Sequence, residues 1–207
     1  MKDLIILSTA VHAAEMAEIV ERVNQDKKTW NLLGFIAHNE EALKQKKLNG
    51  YPVLGLVNML DKYPQALVVP GNEWPRDQAI PRERLATLVD PMVFVSRTAT
   101  IGAGCVLYPH CYVGLRARIG DWVFVLSGSI INHDDVIGDR VVFASSVTLA
   151  GNLRVEDDCY LGQGCTVRQF ITVGRNSLVG MGAVVVRDVA PNSVMAGNPA
   201  RKIKDRA

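Results

Sequence analysis

Residues 131–167 read INHDDVIGDRVVFASSVTLAGNLRVEDDCYLGQGCTV, and every sixth position of the stretch is a large apolar side chain: Ile131, Ile137, Phe143, Leu149, Val155, Leu161 and Val167. The period runs on in both directions without a slip. Upstream it passes Val125, Ile119, Val113, Leu107 and Ile101 to Val95, and downstream Val173, Val179 and Val185, sixteen positions in all. Two residues before most of these positions stands a small or modest side chain, as at Ala99, Cys105, Cys111, Ala117, Ser129, Cys159, Cys165, Ser177 and Ala183. Directly after many of them stands glycine: Gly102, Gly114, Gly120, Gly138, Gly162, Gly174 and Gly180. A repeat of fixed short period decides the architecture before any local reading of helix or strand.

Six residues make one short strand and one turn. Three such units close a coil of about eighteen residues, and coils stack by strand pairing about 4.8 Å apart. The aliphatic residue points into the prism and the small residue sits near a corner. The following glycine is expected to open the turn with φ > 0. The second part of the chain therefore reads as a parallel β-helix.

The first 88 residues lack this period. Leu4–Leu7 reads as a strand and Ala10–Val23 as a helix, with Ala13, Met16, Ala17, Ile19, Val20 and Val23 on its apolar side. A strand over Leu32–Ala37, a helix over Glu40–Lys47, a short helix near Asn58–Tyr63, a strand over Ala66–Val69 and a helical turn over Arg82–Leu88 follow. Alternating strands and helices imply a small parallel, Rossmann-like sheet. The joint is placed at Thr87–Pro91, giving a first domain over 1–88 and a β-helix with its tail over 89–207.

Composition narrows the function. The 207 residues carry a net charge of +2, so no basic footprint points to nucleic acid. No apolar run approaches the roughly 20 residues that span a bilayer. Lys2 before Leu4-Ile5-Ile6-Leu7 loosely mimics a secretory leader, but Asp3, Ser8, Thr9 and His12 interrupt it. A buried strand entering a helix explains it better, and a cytoplasmic location is expected. The four cysteines share one hexad slot; Cys105 and Cys159, like Cys111 and Cys165, stand three coils apart. That is about 14 Å at the usual strand spacing, too far for a disulfide, and they read as small buried fillers.

One hexad departs from the pattern. In Ile131-Asn132-His133-Asp134-Asp135 the glycine slot holds Asn132, followed by a histidine and two carboxylates. One coil further on from His133 stands Gly151, and one coil before it Leu115. The bare position at Gly151 is expected to leave space beside the imidazole for a ligand. An imidazole suits general-base work, and an adjacent Asp134 can hold its tautomer. The alternative is a surface histidine at a prism corner, with Asp134 and Asp135 as solvated turn residues.

Asn132-His133-Asp134, Ile137-Gly138-Asp139, Ala150-Gly151-Asn152, Leu161-Gly162-Gln163-Gly164-Cys165-Thr166-Val167, Val179-Gly180-Met181-Gly182-Ala183 and Ala196-Gly197-Asn198-Pro199-Ala200-Arg201 together resemble the hexapeptide-repeat acetyltransferases of bacterial sugars. These are the sialic acid O-acetyltransferases and the N-acetyltransferases of nucleotide-linked 4-amino sugars of the bacillosamine and perosamine type. The resemblance implies a left-handed β-helix, a homotrimer, and acetyl-CoA lying between neighbouring β-helices. It implies His133 as catalytic base, Asp134 as its acidic partner and Asn132 beside the acceptor. Acetyl-CoA contacts would fall at Val142, Gly151, Gly162, Gln163, Gly180, Asn198, Pro199 and Arg201. At Val142 relatives carry a second histidine. The basic tail, Arg201-Lys202-Ile203-Lys204-Asp205-Arg206, would either lie near the CoA phosphates or be a solvated terminus.

The first domain departs further. Where relatives run a Gly-Ala-Gly-Gly-His turn into the nucleotide, this chain has Ser8-Thr9-Ala10-Val11-His12. Where they carry an acidic pair after the second strand, it has Ala37-His38. Ser8, Thr9, Ala10 and His12 remain candidate acceptor contacts, and the domain either binds an altered sugar acceptor or caps the β-helix. A zinc β-helix enzyme is disfavoured, because only His12, His38, His110 and His133 exist and none are closely spaced; no metal is expected. The remaining rival is a non-catalytic β-helix used for assembly.

Overall fold

The protein is described by a computed structural model covering residues 1–75 and 78–206. It divides into two compact units, Met1–Pro91 with Ala103–Val106, and Met92–Gly102 with Leu107–Ala207.

In the first unit, β1 (Lys2–Leu7) leads into α1 (Val11–Asp26), followed by β2 (Trp30–Ile36), β3 (Lys47–Leu48), β4 (Tyr51–Gly55) and β5 (Leu67–Pro70). The sheet order is β3-β4-β2-β1-β5, parallel except for the β3–β4 hairpin. Leu4, Ile5, Ile6 and Leu7 are fully buried, as a continuous apolar run in a central parallel strand must be. Helix α1 buries Ala13, Met16, Ala17, Ile19 and Val20; its polar side sends Arg22 to Asp90, Nε to Oδ2 at 2.6 Å. The helix expected over Glu40–Lys47 is absent. Only a single 3₁₀ turn forms at Ala42–Lys44, because the chain extends at Lys47 to enter the hairpin. The expected helical turn over Arg82–Leu88 is likewise one 3₁₀ turn, Arg82–Arg84, and Leu88–Val89 is a strand.

The second unit is the β-helix. One face stacks Phe94–Val95, Tyr112–Val113, Ile130–Ile131, Thr148–Leu149, Thr166–Val167 and Val184–Val185. A second stacks Thr100–Ile101, Arg118–Ile119, Val136–Ile137, Arg154–Val155 and Thr172–Val173. The third carries Phe124–Val125, Val142–Phe143, Tyr160–Leu161, Leu178–Val179 and Ser193–Ala196. Rungs pair in parallel with the residue eighteen further on, as Tyr112 does with Ile130, up to the end of the third face, where Leu178 pairs with Val194, sixteen further on. From Val113 to Val185 the hexad side chains are buried, none more than 5% exposed. The basic tail is neither a loose terminus nor buried: Arg201–Asp205 forms an exposed strand antiparallel to Ser193–Ala196.

The glycines play a different part from the one expected. Positive φ falls two residues later, at Arg116 (57°) after Gly114 and Arg140 (55°) after Gly138, and at Gly104 (71°), Gly164 (67°) and Gly182 (66°) after Gly102, Gly162 and Gly180. The same slot is left-handed at Asp134 (61°) and Asp158 (63°), where no glycine precedes it. The glycines answer instead to close stacking. A Cβ on Gly114 would lie 2.7 Å from the backbone nitrogen of His133, and one on Gly162 2.6 Å from that of Met181. The next coil's main chain occupies that space.

Candidate active site

His133 stands in the turn after Ile130–Ile131, between the strand's last buried side chain and a left-handed residue, Asp134. Asn132 begins the turn by accepting the His133 N–H on its side-chain oxygen at 2.9 Å. The left-handed backbone at Asp134 turns its carboxylate back toward the ring. Oδ2 of Asp134 lies 2.9 Å from Nδ1 of His133. The Asn152 amide nitrogen lies 3.4 Å from the same ring nitrogen. Nε2 has no hydrogen-bond partner among the described residues, and the side chain is 48% exposed. One ring nitrogen is thus held by an acid and the other faces outward, which is what proton abstraction requires.

Gly151 is the coil neighbour of the imidazole, but it leaves no void. A Cβ there would come 3.1 Å from Nε2 and 3.2 Å from Cε1. The ring itself lies over the bare backbone, so the missing side chain makes room for the histidine rather than for a ligand.

Two residues that were not among the expected catalytic residues, Arg116 and Asp135, complete the site. Arg116, one coil before Asp134, grips its carboxylate with both arms of the fork, Nε to Oδ1 at 2.7 Å and Nη2 to Oδ2 at 2.8 Å. The Arg116 guanidinium, with a smaller contribution from His133, holds the Asp134 carboxyl well below the usual carboxylate range. Column arithmetic, 134 − 18 = 116, contains this partner. Asp135 is no solvated turn residue: it is fully buried and accepts the N–H of Asn132 at 2.7 Å and of Leu153 at 3.2 Å. Burial pushes its carboxyl up to about 6, against the pull of those two donors. Its role is to tie the Asn132–His133 turn to the following coil.

Gly162, Gln163 and Gly180 come together in the structure. With Tyr160, Ser145, Met181 and Ala196 they line a cavity of about 540 Å³ on the third face. Val142 pairs with Tyr160 on that face but does not line the cavity. Asn198, Pro199 and Arg201 stand beyond it, exposed. A smaller recess of about 310 Å³ opens beside Asp134 and Asn152, walled by Arg154 and Phe170. The four cysteines are buried thiols, and burial pushes Cys159 up to about 11 and Cys165 to about 12. Among the described residues no group of His, Cys, Asp and Glu is arranged to hold a metal.

In the first unit the candidate contacts gather at the point where the sheet reverses its order, between β1 and β5. Ser8 and Thr9 are buried, and Ser8 donates its hydroxyl to Glu73 while accepting the Ala10 N–H at 3.1 Å. Glu73 folds over Gly71, where a Cβ would meet its oxygens at 2.9 and 3.0 Å. Its second oxygen and Nδ1 of His38 are buried without hydrogen bonds. His12 stands aside, with Nδ1 2.9 Å from Glu15 on its own helix. Glu73 lies 65 residues from Ser8, and only the strand order makes them neighbours.

Comparisons with known proteins agree with this architecture. A family described as the hexapeptide repeat of succinyl-transferase matches residues 152–187. An acyl-[acyl-carrier-protein]–UDP-N-acetylglucosamine O-acyltransferase of Campylobacter concisus is 34% identical over 113 residues, 54% of this chain and 43% of that protein. Its counterpart in Thiobacillus denitrificans is 39% identical over 83 residues, 40% of this chain and 32% of that protein. The chain thus spans less than half the length of these curated relatives. The acetyltransferase domain of PglB from Neisseria gonorrhoeae, solved with acetyl coenzyme A, superimposes with a TM-score of 0.83 at 26% identity, covering 98% of this chain and 99% of that one. PerB from Caulobacter crescentus, solved with CoA and GDP-perosamine, gives 0.85 at 22% identity over 99% of this chain and 98% of that one, a likeness of fold. Both units are therefore matched by solved structures, and the β-helix is left-handed. In its repeat and its architecture, the chain is similar to the hexapeptide-repeat acyltransferases.

Proposed function

We propose that the protein transfers an acetyl group from acetyl-CoA to an amine or hydroxyl of a sugar, with His133 as general base. The observation that carries the proposal is the His133–Asp134 pair, 2.9 Å apart, with Nε2 unengaged and the ring half exposed. Nε2 accepts the proton of the acceptor's amine or hydroxyl as its lone pair forms the new bond to the acyl carbon. The carbon–sulfur bond breaks, and the imidazolium returns the proton to the leaving thiolate. Asp134 steadies the imidazolium between the two transfers. The co-substrate supplies an activated acyl thioester, and the cavity at Gly162, Gln163 and Gly180 is where its fit is supported. Its volume is of ligand size. We also propose a homotrimer with the donor lying between neighbouring β-helices, and a cytoplasmic location, as the resemblance to the hexapeptide-repeat acetyltransferases implies.

For the acceptor, a nucleotide-linked amino sugar of surface-glycan synthesis is the first reading, by likeness to the solved N-acetyltransferases. One observation favours a second. Glu73 places a carboxylate on Ser8 at the strand-order reversal, where α/β sheets commonly take their ligand. A carboxylate there disfavours a diphosphate and favours a sugar without one.

The test is thiol release from acetyl-CoA against a panel of amino sugars, free and nucleotide-linked, with acetyl-acyl-carrier protein as a second donor. Turnover with acetyl-CoA, lost by roughly 10²- to 10⁴-fold in His133→Ala, supports the proposal. That variant should keep its CoA-induced rise in Tm. Wild-type turnover in His133→Ala overturns the base assignment, and turnover only with the carrier protein overturns the donor.

A further inference from the structure

Two turn columns of the β-helix each contain the same kind of ion pair. Arg116 and Asp134 stand eighteen residues apart on left-handed backbone, and so do Arg140 and Asp158, with Nε–Oδ1 distances of 2.7 and 2.8 Å. The second pair ties one coil to the next and holds no histidine. The first has one addition: the carboxylate oxygen that meets Nη2 of Arg116 at 2.8 Å also lies 2.9 Å from Nδ1 of His133. Asp134 is therefore shared between a permanent cation and a titrating one.

We propose that Arg116 is a positioning residue that sets the basicity of His133 by sharing Asp134. The proposal rests on the reading of His133 as general base. A carboxylate facing the imidazole alone stabilises the imidazolium and raises its proton affinity. A bidentate guanidinium offsets part of that charge and fixes the plane of the carboxylate. The shared arrangement tempers the pull of Asp134 on the ring without loosening it. The charged groups facing His133 are Asp134, Arg116 and the buried Asp135; its neighbours on adjoining coils, Leu115, Gly151 and Asn152, carry no charge.

The sign follows from charge balance. In Arg116→Gln the full charge of Asp134 acts on His133. Its titration should then move upward by roughly 0.5–1 unit, a modest shift because these side chains are partly exposed. The acid limb of kcat/KM against pH should move upward with it, so activity below the limb falls about 3- to 10-fold for that shift. Arg116→Lys, which keeps the charge, should return both readouts toward wild type. Arg140→Gln, which removes the matching pair away from the histidine, should lower Tm as much as Arg116→Gln does and leave the titration of His133 unmoved.

The experiment follows the His133 ring by NMR through a pH series in wild type and the three variants, beside the pH–rate profiles. An unmoved or lowered titration in Arg116→Gln, or an equal shift in Arg140→Gln, overturns the proposal. If the titration moves and the rate limb does not, the coupling stands as electrostatics, and the assignment of His133 as general base is what fails.

Discussion

Gly151→Ala is the most informative single substitution at the site. The added methyl would lie 3.1 Å from Nε2 and 3.2 Å from Cε1 of His133, and 3.2 Å from the same residue's carbonyl oxygen. Ordinary carbon contacts are about 3.5–4.0 Å, so the ring must withdraw by a few tenths of an ångström or more. The carbonyl oxygen cannot, because it accepts the Asn152 N–H at 3.0 Å in the coil-to-coil ladder. Backbone strain adds to this. Gly151 has φ = 100°, where a side chain costs about 1–2 kcal/mol. The matching control is Gly128→Ala, which also has positive φ (73°) but would meet only the Ser146 hydroxyl at 3.5 Å. Gly128→Ala should therefore show the backbone cost alone and Gly151→Ala a larger loss of stability, both read as the urea midpoint. Only Gly151→Ala should lose turnover beyond what that loss explains, by about 10- to 100-fold, since a displaced base loses its alignment. Turnover equal to that of Gly128→Ala would refute the claim that the ring's place over Gly151 matters to the chemistry.

Three further outcomes are expected. Asp135 titrates at about 6 in the folded protein and near 3.9 in an unfolded chain, so the unfolded state releases its proton first as pH rises. Its contribution to stability accordingly falls between about pH 4 and pH 6, by up to about 3 kcal/mol. Comparing urea unfolding of wild type and Asp135→Asn across that range tests this; a slope that survives the substitution contradicts it. Glu73→Gln removes the carboxylate beside Ser8 and should raise affinity for nucleoside diphosphates at the strand reversal, measured by calorimetry. Unchanged affinity would mean that Glu73 does not select against phosphate. The thiols of Cys159 and Cys165, buried and held at about 11 and 12, should resist alkylation in the native protein at pH 8 and react in denaturant.

The β-helix could be read from residue types alone, because its core is one column of side chains per face. Any polar residue at Leu149 or Val167 would break the stack, so the inward positions must show themselves as a period. The same arithmetic aligned His133 with Gly151 and the cysteines with one another. It also places Arg116 in the column of Asp134, but a surface arginine carries no local mark of that pairing. The short helices of the first unit were less legible: Glu40–Lys47 has helical composition, and tertiary pairing at β3 overrides it.

What residue order settled, then, was which side chains face inward and which share a column, since both follow from a fixed count per coil. Three things waited for the folded chain. Left-handed backbone falls at Asp134, and at Arg116 two residues beyond Gly114 rather than at Gly114 itself, whose place is set by the next coil's main chain. Asp135 is buried while Asp134 reaches outward, because burial depends on which wall of the prism closes over a side chain. Ser8 met Glu73 across 65 residues because the sheet places β5 beside β1. Each depends on what another segment leaves room for, and no local pattern records that.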